Sequence, residues 1–369
     1  LRSLAKYNNH EGFRFGLGGV TNSKLSEVYK IHFYGAYGLK DAVFKFGISP
    51  SYLIDKETDT WVTASYLDDI SEIGQTQFAT QSRRYKLYDP RPLNISTFYQ
   101  NKSASVSVES KFIPKTETYI GLSSSTITPL FNYVFSSNGN QYSSYSISAV
   151  QFAIQWNPFS NYMQTTSDRI ENEKKWPKFS FQITKSIPNF VGNDFNFTKF
   201  DFKIIHEIPY LSGQSTSFYF MGGVAVGNLP LTHLYSIVPN NLNKETLLQR
   251  ITFAGKNSFE TMYFNEFFSS KYFSFQARHT FNKVKLAYKI KPKISVVSRF
   301  AFGSMDQPEN HLNFTYNTLE KGFFESGIEM NQIYQGFGLT GFFRYGPYAF
   351  SKIEDNISIK ISYVLDLGF

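Results

Sequence analysis

The last thirteen residues of the chain, 357–369, alternate apolar and polar side chains with a period of two. One face carries Ile357, Ile359, Ile361, Tyr363, Leu365, Leu367 and Phe369, and the other carries Ser358, Lys360, Ser362 and Asp366. Strands of soluble sheets are usually about five or six residues long, whereas a tilted strand needs about nine to eleven residues to cross a bilayer. The segment therefore predicts a β-strand that spans a membrane.

The same alternation recurs along the chain. Between residues 44 and 54, apolar side chains oppose Lys45, Ser49 and Ser51, and between residues 103 and 112 they oppose serines, Glu109 and Lys111. Each pattern is typical of a strand with one apolar face. The sequence predicts strands near 11–20, 27–38, 41–54, 58–67, 102–112, 116–126, 143–157, 176–187, 195–208, 214–228, 249–265, 270–281, 285–304 as one long strand, 322–346 as a hairpin, and 356–369.

The average composition fits this pattern. Mean hydropathy is −0.29, and no apolar run approaches the roughly 18 residues that a spanning helix needs. Aromatic residues nevertheless make up 18% of the chain, with 39 Phe and 25 Tyr. A transmembrane β-barrel reconciles the two values, because its lipid-facing residues alternate with polar lumenal ones and its interfacial belts are aromatic. We therefore expect one all-β domain over residues 1–369, a transmembrane antiparallel β-barrel of about 16 strands, with 14 to 18 open.

Several classes of site are disfavoured by residue type and spacing. The chain has no cysteine, and its net charge of +8 comes from dispersed basic residues, so neither a disulfide framework nor nucleic-acid binding is expected. The six histidines have no recurring metal spacing, and no Gly-x-Ser-x-Gly motif is present. We expect no catalytic residue, no metal and no cofactor. A hydrolase site assembled from Ser, His and Asn on adjacent strands remains an alternative.

Strand parity predicts which connections share a side of the membrane. If both termini face the periplasm, residues 37–41 form a short periplasmic turn and the polar stretch 158–175 lies outside. The connections 68–101 and 229–248 then also lie on the periplasmic side, against the usual rule of short periplasmic turns. This conflict predicts either a docking element or an error in the strand count.

Two groups of residues are candidates for special roles at the chain ends. The glycines Gly12, Gly16, Gly18 and Gly19 weaken the first predicted strand, so with Ile357, Ile359 and Ile361 of the last strand they are candidates for a barrel seam. The alternative is that these glycines relieve crowding where the sheet curves. The candidate C-terminal insertion signal is Tyr363, Leu365, Leu367 and Phe369, and its alternative is an ordinary interfacial aromatic cluster.

Charged residues on the predicted polar faces are candidates for a lumenal lining. They are Arg14, Lys45, Arg278, Arg299, Glu325, Glu329 and Arg344, with Lys30, Glu109, Lys111 and Lys360 as further members. A net positive lumen would favour anions, whereas mixed charges more often form a network that closes the interior. Both interpretations stay open.

Four stretches resemble a known family. They are Glu11–Gly18 with Thr21–Asn22, Tyr37–Asp41 with Phe44–Gly47, Asn265–Tyr272, and Arg344–Tyr348 with Glu354–Ile357. In these stretches the chain is similar to uncharacterised Gram-negative outer-membrane barrels that, at full length, follow a carboxypeptidase-regulatory-like domain. The resemblance implies an integral outer-membrane location. It also implies that a periplasmic N-terminal domain and a signal peptide belong to the full protein and are absent from this chain.

A weaker likeness is to the sixteen-stranded barrels that insert or export outer-membrane proteins. The order of features carries it: a Gly-rich first strand, a special connection between the eleventh and twelfth strands, and a self-closing last strand. The Val-Arg-Gly-Phe/Tyr loop motif of those barrels is not present in this sequence.

These likenesses suggest a function without an enzyme activity. The main hypothesis is an accessory or structural subunit of an outer-membrane protein assembly or surface-export complex. Its partners would be other outer-membrane or periplasmic proteins, in contact with the lipid bilayer and lipopolysaccharide. The alternatives are an autonomous channel or porin-like transporter for small solutes and, second, an outer-membrane hydrolase.

Overall fold

The computed structural model describes residues 5–22, 24–81, 95, 97–164, 169–255, 257–285 and 290–363. Within these residues the chain is all-β, as the alternation predicts. Its strands are β1 (Ala5–Asn8), β2 (Gly12–Val20), β3 (Tyr29–Gly38), β4 (Phe44–Asp55), β5 (Thr60–Glu72), β6 (Phe98–Ser110), β7 (Thr116–Pro129), β8 (Val134–Ser137), β9 (Asn140–Tyr142), β10 (Tyr145–Trp156), β11 (Asn161–Gln164), β12 (Arg169–Glu173), β13 (Lys178–Ser186), β14 (Phe197–Pro209), β15 (Ser215–Gly227), β16 (Pro239–Asn241), β17 (Thr252–Phe253), β18 (Phe259–Tyr263), β19 (Lys271–Lys283), β20 (Lys293–Ser304), β21 (His311–Leu312), β22 (Phe323–Tyr334), β23 (Phe337–Tyr345) and β24 (Ile357–Tyr363).

Helical structure in the described residues is limited to short 3₁₀ turns. They span Ala79–Gln81, Leu248–Arg250, Pro308–Asn310 and Ile353–Asn356. None of the helices in this part of the chain has the length and apolar character needed to cross a membrane.

One 17-stranded sheet organises the molecule. Neighbours in sequence pair antiparallel throughout, in the order β1-β2-β3-β4-β5-β6-β7-β10-β13-β14-β15-β19-β20-β22-β23-β24. The exception is β17, which pairs parallel with β24. Small separate sheets are formed by β11 with β12, by β16 with β18, and by β8 with β9 and β21. The sheet is therefore a succession of hairpins.

The two faces of this sheet reverse the usual pattern of a soluble protein. On β4, Phe44 and Ile48 are exposed by 60% and 47%, while Lys45 between them is exposed by only 2%. The same holds on β23 and β24, where Phe343 is exposed while Arg344 and Lys360 are buried. We call the face with exposed apolar side chains the outer face and the face with buried polar side chains the inner face. The predicted assignment of residues to faces agrees with this arrangement.

The first strand of the sheet is absent from the sequence-based prediction. β1 is only four residues long, and it pairs with β2 in the register Ala5 to Phe15 and Asn8 to Gly12. The predicted first strand, 11–20, is therefore second in the sheet. This added strand reverses the predicted sides, because the chain now leaves β3, β5 and β15 at the end of the sheet opposite the start of β1.

Two further predictions about strands are wrong. Residues 249–265 do not form a strand of the antiparallel sheet. They contain β17 and β18 inside a long connection, and the first four residues of β18 are all buried instead of alternating. The long strand expected over 285–304 is β20, which begins only at Lys293; residues 286–289 of the predicted range lie outside the described residues.

Most of the long connections gather at one end of the sheet, which we call the long-connection end, and share a hydrophobic core. The exception is the connection between β10 and β13, which leaves the sheet at the other end. The core joins residues from different connections, including Tyr133, Phe195, Leu231, Phe268 and Leu319, all at most 3% exposed. Edge-to-face contacts between aromatic rings connect these residues; the rings of Phe135 and Phe195, for example, are nearly perpendicular with centroids 5.0 Å apart. A core built from connections covers this end of the sheet.

Candidate functional site

The connection between β15 and β19, residues 228–270, lies against the inner face of the sheet. We call it the inner connection. Counted from β1 it joins the eleventh and twelfth strands of the antiparallel order. It contacts strands far apart in that order: Thr232 shares a hydrogen bond of 2.6 Å with Tyr145 on β10, and Tyr235 donates one of 2.8 Å to Asp201 on β14. The inner connection thus crosses much of the inner face.

Glu325 on β22 fixes the middle of the inner connection. Its carboxylate accepts hydrogen bonds from the backbone nitrogens of Glu260 (3.0 Å) and Thr261 (2.9 Å) and from the Thr261 hydroxyl (2.7 Å). Arg299 on β20 completes the arrangement with an ion pair of 2.8 Å. Both charged side chains are fully buried. Because a buried carboxylate is costly unless it is paired and hydrogen-bonded, the three hydrogen bonds hold β18 against the sheet while Arg299 balances the charge.

Lys360 on β24 fixes a second point of the inner connection. Its Nζ donates to the Thr252 hydroxyl (2.8 Å), the Arg250 carbonyl (3.2 Å) and the Asn241 side-chain oxygen (3.3 Å). Beside it, β17 pairs with residues 360–361, and the Ala254 nitrogen donates to the Ile361 carbonyl at 2.8 Å. The edge of β24 that faces away from β23 is therefore paired, over these residues, with the inner connection.

A third attachment lies towards the long-connection end. Arg344 on β23 forms an ion pair of 2.7 Å with Glu266, and its guanidinium lies over the Phe323 ring at 4.7 Å. In the inner connection itself, Arg250 pairs with Asp355 at 2.9 Å. Arg344 and Arg250 are therefore each paired with a carboxylate from a different segment of the chain.

Burial perturbs titratable groups of the inner connection. Burial raises the pKa of Glu260, while the nearby cations Arg299 and Lys360 act in the opposite direction. Burial, helped by the charge of Lys199, lowers the pKa of His233 to about 3. His233 is therefore neutral at physiological pH, which suits a group packed under the sheet.

The seven main candidates for lumenal charges lie on the inner face, and each has an ionic partner. Of the further members, Lys111 pairs with Asp59 at 2.6 Å, whereas the acceptors of Lys360 given above are neutral. Arg14 pairs with Asp69 at 2.6 Å and with Glu11 at 3.3 Å, and Lys45 pairs with Glu11 at 2.8 Å and with Asp41. On the later strands, Glu329 pairs with both Arg278 and Arg299. The pairs Arg299–Glu325 and Arg344–Glu266 were described above. This arrangement corresponds to the closing network, one of the two open interpretations.

The candidate seam residues lie at the two ends of the strand order. Gly16, Gly18 and Gly19 lie in the part of β2 beyond its pairing with β1, and Ile357, Ile359 and Ile361 lie in β24. Gly12 begins β2 with a φ of +67°, in the turn from β1. Among the described residues, neither β1 nor β2 is paired as a strand with β24, so the seam stays a prediction.

Close packing gives the glycines of β2 a second role. A Cβ at Gly16 would lie 2.8 Å from the Ala36 Cβ, and one at Gly18 would lie 2.7 Å from the Tyr34 Cβ. Real Cβ atoms do not approach this closely, so these positions favour glycine for contact with β3. The alternative of relieved crowding therefore has a geometric basis.

The candidate insertion signal is only partly described. Tyr363 ends β24, with its ring 4.8 Å from the ring of Phe337 on β23. Leu365, Leu367 and Phe369 lie outside the described residues. Within the residues that are described, no group of three His, Asp or Glu side chains could hold a metal ion.

Comparison with known proteins identifies the class of the chain. The hairpin order and the long connection before the twelfth strand define an all-β protein whose fold resembles an outer-membrane assembly barrel. BamA from Haemophilus ducreyi lacking POTRA domains 1–3 has a crystal structure that aligns with a TM-score of 0.56 and 10% identity, over 96% of this chain and 67% of that chain. At this identity the similarity concerns the fold alone.

The family follows from the sequence. Residues 1–300 match the C-terminal domain of the family of unknown function DUF5686, and the chain belongs to that family. The expected membership of an uncharacterised barrel family, with a weaker likeness to assembly barrels, is thereby confirmed. None of the curated proteins matches the chain.

Sequence reasoning predicted a connection at 229–248 but missed its extent to residue 270 and its packing against the inner face. Its signals were present in Pro230, Pro239 and the pair Asn240–Asn241, which are unsuited to a spanning strand. The segment Phe259–Tyr263 also lacks a polar alternation, since Glu260 and Thr261 are adjacent. Its apolar residues nevertheless favour a β-strand, and no local sequence pattern indicates that such a strand packs against the inner face of a sheet instead of joining it.

Proposed function

We propose that the chain is an integral β-barrel of the Gram-negative outer membrane, closed from about sixteen strands, with an interior filled by the inner connection. The outer face supports a lipid contact, since Phe13 and Leu17 on β2 and Phe44 on β4 are exposed by 56%, 70% and 60%. Soluble proteins rarely expose so continuous an apolar surface. Closure is supported by Asn9 of the β1–β2 turn and Phe350 of the β23–β24 connection, which line one cavity.

The orientation follows from connection length. Outer-membrane barrels have short periplasmic turns and longer outer loops. The long-connection end would then face the cell exterior, and both the start of β1 and the end of β24 would face the periplasm. The two connections that sequence parity put in the periplasm would lie outside, so they no longer support a periplasmic docking element.

The barrel serves, in this proposal, as a non-enzymatic accessory or structural subunit of an outer-membrane protein assembly or surface-export complex. The single observation that carries it is the inner connection, held to the inner face by Glu325, Arg344 and Lys360. A filled and ion-paired interior suits a structural subunit better than a diffusion channel. The fold likeness to an assembly barrel supports the same choice. Its partners would be other outer-membrane or periplasmic proteins.

Planar-bilayer recording tests the filled interior. The pure protein should give no stepwise conductance. A variant in which residues 239–263 are replaced by a short Gly-Ser linker should give steps if it still folds, as judged by faster gel migration of the unheated sample. Stepwise conductance by the unaltered protein would instead establish the channel alternative.

Affinity purification tests the subunit role. The full-length protein should be isolated from native outer membranes in mild detergent, and its stoichiometric companions identified by mass spectrometry. Reproducible recovery with a large membrane assembly is expected. Recovery alone, or only as a homo-oligomer, would contradict the role in a complex.

A further inference from the structure

A cavity of about 620 Å³ opens at the long-connection end, and the barrel role does not require it. Four separate segments line it: Asn9 from the β1–β2 turn, residues 242–244 and 263–266 of the inner connection, residues 315–317 before β22, and Phe350 before β24. Its volume is in the range of small-molecule sites, about 300–1,000 Å³.

Side-chain amides dominate the polar lining of this cavity. Asn9, Asn243, Asn265 and Asn317 are four of its twelve lining residues. Each amide has both donors and acceptors, as sugar hydroxyl groups do, although the Nδ2 of Asn265 also donates to the Thr97 hydroxyl at 2.6 Å. An anion would instead require several cations or convergent backbone nitrogens. The amides therefore match a ligand rich in hydroxyl groups.

Backbone conformation does not account for most of these asparagines. Asparagine is often selected where φ is positive, because its side chain tolerates the left-handed region. Asn265 has a φ of +64°, whereas Asn9, Asn243 and Asn317 are not among the described residues with positive φ. These three side chains are also exposed, so their amides are accessible from solvent.

Aromatic rings supply the second half of the lining. Tyr263, Phe264, Tyr316 and Phe350 border the cavity, and the rings of Tyr263 and Phe350 are tilted by 55° with centroids 5.6 Å apart. The face of an aromatic ring is electronegative, so it attracts the C–H groups on the apolar face of a sugar ring. Hydroxyl-binding amides beside such rings match the two surfaces of a saccharide.

The charges of the cavity set a further limit on the ligand. Lys244 contributes one cation, while the carboxylate of Glu266 is already paired with Arg344 at 2.7 Å. A neutral ligand, or one with a single acidic substituent beside Lys244, suits this balance better than a polyanion.

We propose that this cavity is a glycan-binding site that holds one or two sugar residues of a neutral or weakly acidic oligosaccharide. The ligand could come from lipopolysaccharide or from a free polysaccharide, since both present the same hydroxyl chemistry. The site depends on the residues of the long-connection end and not on the membrane role. Its test therefore fails or succeeds separately from that of the proposed function.

Isothermal titration of the purified full chain in detergent micelles tests the site. The probes are the lipid-free oligosaccharide released from lipopolysaccharide by mild acid, the neutral oligosaccharide maltohexaose, intact lipopolysaccharide and inorganic phosphate. At least one of the two lipid-free oligosaccharides should bind. Binding of the released oligosaccharide alone identifies lipopolysaccharide as the source, and binding of maltohexaose identifies a free polysaccharide.

Two variants locate the binding. Asn243→Ala and Asn9→Ala each remove one exposed amide from the lining, and each should raise Kd at least about tenfold. Asn140→Ala is the matched control, because Asn140 is an exposed asparagine of the separate β8–β9 hairpin. Unchanged gel mobility of the unheated variants shows that they fold.

Three results would overturn the glycan site. They are no binding of either lipid-free oligosaccharide, binding that the two lining variants leave unchanged, and full competition by inorganic phosphate. Binding of intact lipopolysaccharide alone would assign the contact to its acyl chains on the outer face.

Discussion

Arg299 and Glu325 stand directly opposite each other on the neighbouring strands β20 and β22, and both side chains are completely buried. The 2.8 Å ion pair between them is therefore a cross-strand contact. Since Glu325 also accepts two backbone nitrogens of β18, the same carboxylate joins the sheet to the segment packed on it. Sheet register and the position of the inner connection are thus fixed by one group.

Removing the charge of Glu325 should loosen the inner connection. Glu325→Gln leaves Arg299 without its nearest carboxylate, and breaking such a buried pair costs about 3 kcal/mol of the free energy of unfolding. Urea unfolding in detergent, followed by tryptophan fluorescence, measures the loss, and limited proteolysis should cut within 228–270 sooner. Glu27→Gln is the control, because Glu27 pairs with Lys56 in solvent and its loss should leave stability unchanged. Equal behaviour of the two variants would contradict the attachment.

A charge on the outer face should destabilise the protein in a bilayer. Ile48 is 47% exposed in the middle of β4, so Ile48→Lys would place an ammonium group in lipid at a cost of about 2–4 kcal/mol. Ser49→Lys, one residue along, points to the inner face and should cost less. Folding titrations into lipid vesicles compare the two. A soluble protein would tolerate the exposed lysine at position 48, and that outcome would refute the lipid contact.

The close approach of β2 to β3 predicts opposite effects for two glycine substitutions. Gly16→Ala places a methyl group 2.8 Å from the Ala36 Cβ and from the Gly35 carbonyl, and should destabilise by about 1–3 kcal/mol. Gly341→Ala meets nothing within 4 Å, so it should be neutral or stabilising by up to about 1 kcal/mol. The two variants are compared by heating samples to increasing temperatures and measuring on a gel the fraction that still migrates as the folded form. If Gly16→Ala folds with full stability, packing does not explain this glycine and the seam interpretation gains weight.

Acid should weaken the packing of the long connections through His311. Burial lowers the pKa of His311 to about 4 from 6.5, and its Nδ1 lies 2.8 Å from the Tyr133 hydroxyl. As the pH falls below 6.5, His311 is protonated in the unfolded chain before it is protonated in the folded protein. The free energy of unfolding should therefore fall by about 3 kcal/mol between pH 6.5 and 4 and then level off.

The variant His311→Gln isolates this titration. Glutamine keeps a polar group beside Tyr133 without a proton to gain in this range. Urea unfolding from pH 7 to 4 should show a shallower slope for the variant than for the unaltered protein. Parallel slopes would exclude His311 as a source of the acid sensitivity.

The sheet was largely predictable because its cause is local. In a strand with one exposed apolar face and one buried polar face, successive side chains meet different surroundings, so the period of two survives in sequences such as 44–54 and 357–363. β1 was missed for the opposite reason. Four residues are too few to display a period, yet this strand decides the side on which every connection lies.

The interior could not be predicted in the same way. Glu325, Lys360 and Arg344 were recognisable as inward-facing, but their partners lie 64 to 119 residues away in the inner connection. Such pairings leave no periodic trace. The cavity beside Asn9 and Phe350 depends on four segments at once and was likewise invisible to local patterns.

The parallel pairing of β17 with β24 constrains the order in which the polypeptide can assemble. Thr252 meets Lys360 across more than a hundred residues of chain. In the closed barrel that we propose, a segment of this size could not be threaded in after the strands had come round it. If the barrel closes in this way, the inner connection packs against β10, β14 and β22 while β24 is still free, and β24 docks afterwards.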